Sequence, residues 1–97
     1  METLDDISIP NDQWVDINTA SGIAVGALFD IQNKTTIWVQ LYEGDTAPSL
    51  DETSGRLLTN LSDFYGIATI LAGSKRIWAK ARPQGGKTPA VVSVQVL

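Results

Sequence analysis

The residues that come nearest to a chemical motif are Ala81-Arg82-Pro83-Gln84-Gly85-Gly86-Lys87-Thr88, which follow the spacing of a phosphate-binding loop with alanine in place of the first glycine. A working loop of this kind leaves a strand and opens a helix whose N-terminus holds the phosphates. Here Pro89 and a valine-rich segment follow, so the match is read as chance. Asp5-Asp6 and Asp51-Glu52 could imitate a carboxylate pair, but neither has the alternating oxygen ligands and central glycine of a calcium loop, and both read as solvated surface. Asn33-Lys34-Thr35 and Asn60-Leu61-Ser62 carry glycosylation spacing, read as accidental because the acidic start Met1 to Asp6 lacks the basic and apolar runs of a secretory leader. The chain contains no histidine and no cysteine. That removes the commonest bases, thiolate nucleophiles and soft metal ligands, and nothing singles out a working set among the remaining Ser, Lys and acids. No catalytic residue, cofactor site or metal site is expected, and the chain reads as non-enzymatic.

What remains for function is aromatic. Trp14, Trp38 and Trp78 each lie in a short alternating apolar segment, the pattern of a strand with one buried face. Trp14 is assigned to the core. Trp38 and Tyr42 lie opposite the apolar positions Ile37, Val39 and Leu41, so they form either the inner face of a second layer or an exposed stripe. Trp78 shares its face with Lys80, and Arg82 follows four residues after it. Together with Gln40, these give six contact candidates: Trp38, Gln40, Tyr42, Trp78, Lys80 and Arg82.

The elements that must position them have a period of two almost throughout. Strands are predicted over Trp14–Asn18, Ile23–Ile31 and Thr36–Glu43, with turns at Asn18–Gly22 and a tight connection at Gln32–Lys34. Gly44–Gly55 reads as a long, exposed and mobile loop, because it is rich in small polar residues around Pro48. Leu57–Tyr65 fits either a helical turn or an irregular strand with a bulge. Ile67–Leu71 and Arg76–Arg82 are predicted to form a hairpin across Ala72–Lys75; a Gly/Pro loop spans Pro83–Pro89, and Ala90–Leu97 makes a last strand suited to a sheet edge. The fold class that follows is all-β, a small antiparallel β-sandwich of roughly six to eight strands forming a single domain over residues 1–97, with residues 1–10 as an acidic and flexible arm.

Composition sets the limits. With 43% hydrophobic and 19% charged residues the chain is too apolar to be disordered, and 97 residues allow one thin core. Its longest apolar run, Ile67 to Gly73, is far short of the ~20 residues of a membrane helix. Residues 1–63 hold eleven acids against Lys34 and Arg56, a net charge of −9, whereas residues 64–97 carry five bases and no acid. If both halves mix in one sandwich, this asymmetry supplies cross-strand pairs; otherwise it would set a contact between copies. An overall charge of −4 argues against nucleic acid.

The order Ile31-Gln32-Asn33, an aromatic strand, a loop with Pro48 and Gly55, Leu57-Leu58, and Ile77-Trp78-Ala79-Lys80-Ala81 resembles small β-sandwich virion proteins of tailed bacteriophages. The likeness runs from Trp14 onward. It implies a repeated building block of a head, head-tail junction or tail, with homo-oligomers and other virion proteins as partners and assembly in the host bacterial cytoplasm. A glycan-binding module of a tail is the alternative, with Trp38, Tyr42 or Trp78 as stacking platforms. A glycan site requires an aromatic beside polar groups in a concavity, whereas an assembly face is flat, broad and apolar.

Overall fold

The computed structural model describes residues 2–35, 37–50, 52, 55–58, 67–82 and 89–97. These residues form a nearly all-β antiparallel sandwich with nine short strands: β1 (Glu2–Thr3), β2 (Ile7–Ile9), β3 (Val15–Asp16), β4 (Phe29–Asn33), β5 (Trp38–Glu43), β6 (Arg56–Leu58), β7 (Ile67–Ile70), β8 (Ile77–Arg82) and β9 (Ala90–Val96). One sheet runs β1-β9-β4-β7, with β2 also pairing β9; the other runs β3-β8-β5-β6. Alternation gives each sheet one apolar face. Ile9, Phe29, Ile31, Val92 and Val94 from the first sheet meet Val39, Leu41, Leu58, Ile77, Ala79 and Ala81 from the second in one buried cluster. Each fully buried Ile or Phe there contributes about 1.5–3 kcal/mol.

Several elements depart from the sequence expectation. The strand expected over Trp14–Asn18 stops at Asp16, and Ile17–Ser21 turns into a short helix, α1. The Asp16 carboxylate accepts from the Thr19 amide (3.0 Å) and Gly22, at φ 79°, donates back to the Asn18 carbonyl (2.9 Å). An N-cap at Asp16 and a left-handed C-cap at Gly22 thus outweigh a brief alternating run. Ile23–Leu28 is not strand either, because the Asn18 side-chain amide holds the Ile23 and Ala24 carbonyls at 3.2 and 3.4 Å. Gln32 and Asn33 continue β4. The reversal comes just after, where the Asn33 side-chain oxygen accepts from the Thr35 amide and hydroxyl, a local turn built by an Asn side chain.

The expected hairpin of Ile67–Leu71 with Arg76–Arg82 is absent. β7 belongs to the first sheet and β8 to the second, so Ala68 and Ile70 face Ile77, Ala79 and Ala81 across the core rather than along one surface. β8 is claimed by its own sheet before it begins: Gly44 donates to the Arg76 carbonyl, Lys75 donates its amide to Glu43, and Ile77 donates to buried Asn18. The last strand is not at an edge, since β9 lies between β4 and the β1–β2 pair. The N-terminal segment read as an arm is that covering pair, with Ile7 and Ile9 buried. Of the ambiguous segment Leu57–Tyr65, Leu57 and Leu58 belong to strand β6. Its remainder, residues 59–65, lies outside the described residues, as do Pro83 to Thr88 of the phosphate-loop match.

Two buried asparagines tie the layers. Asn33 is fully buried and its amide nitrogen reaches the Ile37 and Leu58 carbonyls at 2.6 and 3.3 Å, so it links β4 of one sheet to β6 of the other and presents no free amide for glycosylation. Asn18 joins α1, the Ile23–Ala24 backbone and β8. The two charge halves also meet within the chain: Arg76 pairs with Asp16 at 2.6 Å and Lys75 approaches Asp45 at 3.9 Å.

Candidate contact faces on the two sheets

Register places the six sequence candidates on one surface. Trp38 lies opposite Arg82, Gln40 opposite Lys80 and Tyr42 opposite Trp78, and residues opposite one another in an antiparallel pair share a face. Since Val39 and Leu41 point into the core, these three pairs cover the outer face of the second sheet. Leu57, opposite Gln40 on β6, extends it.

Most of that face is closed by the chain itself. The Trp78 indole donates to the Gly44 carbonyl (3.0 Å), the Trp14 indole to Ser49 (2.9 Å), and the Gln40 amide to Glu52 (3.0 Å). The described residues 44–50 and 52 therefore form a strap laid across the sheet. Its described side chains are mostly exposed, as its composition suggests, but it does not hang free. Trp14 is buried outside the central cluster, its ring 6.1 Å from that of Tyr42 and tilted by 58°. The chain enters β6 through Gly55, at φ 104°, where a Cβ would stand 2.0 Å from the Leu41 carbonyl oxygen. Only glycine fits so close to a neighbouring backbone.

Beyond the strap the face opens into a cleft of about 190 Å³ lined by Trp38, Gln40, Gly55, Arg56, Leu57 and Arg82. Gln40 is only 2% exposed, and its carbonyl oxygen accepts from Arg82 Nη1 at 2.6 Å. A neutral amide thus orients the guanidinium without cancelling its charge. Lys80 has no acidic partner among the described residues. Trp38 differs from Trp14 and Trp78 in that its indole N–H finds no acceptor among them.

The outer face of the first sheet is a different surface. Phe29 pairs with Val96 on one side and with Ile70 on the other. Carried one residue on, this register sets Leu28 between Leu97 and Leu71, and the Leu97 amide donates to the Leu28 carbonyl at 3.3 Å. The three leucines form a row at the end of the sheet, 62% (Leu71), 38% (Leu28) and 44% (Leu97) exposed, with Leu71 also reaching the opening beside Ile70 and Ile77. The row beside it is polar, Thr69-Asp30-Gln95, and the next, Ile67-Gln32-Ser93, mixes an exposed isoleucine with two polar residues; Asp30 is the one charged group in them. Sequence reasoning missed this row because its members lie just past the ends of three strands. Each strand end carries an exposed leucine, but only sheet order brings them together.

Among the described residues, Asp16 is the titratable group whose environment clearly moves it. Burial opposes ionisation, yet hydrogen bonds from the Thr19 amide and hydroxyl, and the Arg76 guanidinium, hold its pKa below the usual carboxylate value. Among the described residues no three acids come together to hold a metal ion. Compared with known protein families, with curated proteins and with solved structures, the chain matches none.

Proposed function

We propose that this chain is a non-enzymatic structural subunit that acts by assembling with copies of itself, the role implied by its resemblance to small virion proteins of tailed bacteriophages. On that reading its partners are further copies and other virion proteins, and assembly takes place in the host bacterial cytoplasm. The observation that supports it is the leucine row Leu71-Leu28-Leu97, an exposed apolar strip at the end of the first sheet that nothing covers among the described residues. Surfaces of this kind are where protein contacts form. The occupant favoured is a second copy, because Asp30 is the one charged residue in the two strand rows beside the strip, with Arg56 reaching only the Thr69 carbonyl at their edge, so like faces can approach with little charge to bury. The aromatic stripe is less suited to that task, since the strap already occupies most of it.

Sedimentation across a salt series tests the proposal. An apolar contact predicts an oligomer that persists, or strengthens slightly, as ionic strength rises past about 0.15 M, where exposed charges are screened beyond ~8 Å. An oligomer that dissociates with salt would assign assembly to the charged surfaces instead, and a strict monomer at high concentration would remove the building-block role.

A further inference from the structure

We propose that the cleft between Trp38 and Arg82 binds an acidic saccharide, with one sugar ring lying against the Trp38 indole and its carboxylate on the Arg82 guanidinium. The inference does not rest on self-assembly, since the cleft and the leucine row are on opposite sheets. Three features carry it. The first is a built donor: buried Gln40, itself held by the Glu52 carbonyl, accepts one Arg82 N–H, and the rest of the planar fork has no partner among the described residues. That fork matches a carboxylate in two parallel hydrogen bonds.

The second feature is charge without compensation. Arg82 is bonded to a neutral amide, Arg56 also lines the cleft, and neither has an acidic partner among the described residues, so the cleft is a local positive site on a chain of net charge −4. A neutral sugar would leave that charge unanswered. The third is the platform: Trp38 is half-buried at the cleft wall, and its indole N–H has no acceptor among the described residues, which makes it an apolar ring with one polar handle. A bare inorganic anion would leave it unused.

Size narrows the ligand further. At about 190 Å³ the cleft is smaller than the ~300–1,000 Å³ that encloses drug-sized molecules, so it takes one ring of a longer chain. A nucleic-acid strand is disfavoured by the overall negative charge, because such binding draws on many phosphate contacts. The larger opening of about 320 Å³, lined by Leu41, Ile70, Leu71 and Ile77 together with Tyr42, Glu43, Arg56 and Ser74, sets the Glu43 carboxylate among its polar groups and so suits an anion less well. Its one guanidinium, Arg56, is directed to the Thr69 carbonyl.

The test is calorimetric titration of the full chain with a trigalacturonate, a hyaluronan tetrasaccharide and sialyllactose, against galactotriose and an oligothymidylate as controls. Binding of at least one acidic sugar, at least tenfold tighter than galactotriose, is expected, with the Trp38 indole N–H resonance shifting on addition. Arg82→Gln and Trp38→Ala should each weaken it at least tenfold, and Arg82→Lys nearly as much, because the fork is lost while the charge stays. Amide spectra verify that each variant is folded, and Trp38→Phe, which keeps an aromatic wall, should retain more binding than Trp38→Ala. No response to any of the three acidic sugars, equal affinity for galactotriose, tighter binding of the oligothymidylate, or indifference to Arg82→Gln would each overturn the assignment.

Discussion

The two outer faces of this sandwich answer the same problem in opposite ways. The second sheet carries the aromatic residues, and its indoles draw the chain's own carbonyls over them, so the strap of residues 44–50 and 52 closes most of the surface. Among the described residues the first sheet has no such strap, and it leaves three leucines open. A tryptophan therefore marks a contact face only if its polar edge has nothing nearby to donate to. A buried indole N–H needs an acceptor, and here Trp14 and Trp78 find theirs within the chain whereas Trp38 finds none among the described residues.

The closed face is most vulnerable at Gly55. Gly55→Ala forces a side chain into a left-handed backbone and against the Leu41 carbonyl, and should cost roughly 4 kcal/mol or more in denaturant unfolding. A near-neutral result would mean that the entry into β6 is not fixed at this residue. The tryptophans separate the closed and open parts of the same sheet. Trp14→Ala empties a buried site under the strap and should cost about 3 kcal/mol, whereas Trp38→Ala at the open cleft should cost about 1 kcal/mol. Equal losses measured by chemical denaturation would erase that distinction.

A smaller effect comes from Asp16, which anchors α1 and Arg76 at the edge of the same sheet. Its pKa is lowered on folding, so its stabilisation is present above the unfolded value of about 3.9 and is lost as pH falls through the folded value. Asp16→Asn should therefore lower stability by about 1 kcal/mol near pH 7, a figure reduced by partial exposure of the pair, and the difference should begin to shrink below pH ~4 and vanish only once pH is under the folded value. A difference that persisted in acid would show that the cap geometry, not the charge, was lost.

Much of this was legible in the residues, and the rest was not for identifiable reasons. Alternation located Trp38–Glu43 and Ile77–Arg82 and their inward residues, because a period of two sets the face whatever the neighbours are. Sheet order is a different quantity. Nothing local distinguishes a hairpin from a crossover at Ala72–Lys75, and nothing local places β9 between two partners. α1 was written in the sequence as Asp16 and Gly22, but the short apolar run concealed it. The six candidates on the second sheet do share one face, as alternation requires, yet their cover came from distant carbonyls. The leucine row needed register between three strands, which no single segment encodes.

Whether copies meet through the open row on the first sheet can be decided by sedimentation velocity of Leu28→Ser beside the unaltered chain and Trp38→Ala. If they do, the unaltered chain and Trp38→Ala form an oligomer, and Leu28→Ser is a folded monomer, because its exposed side chain contributes little to the core. An oligomer untouched by Leu28→Ser but dispersed by Trp38→Ala would refute assembly through the leucines and return it to the aromatic face.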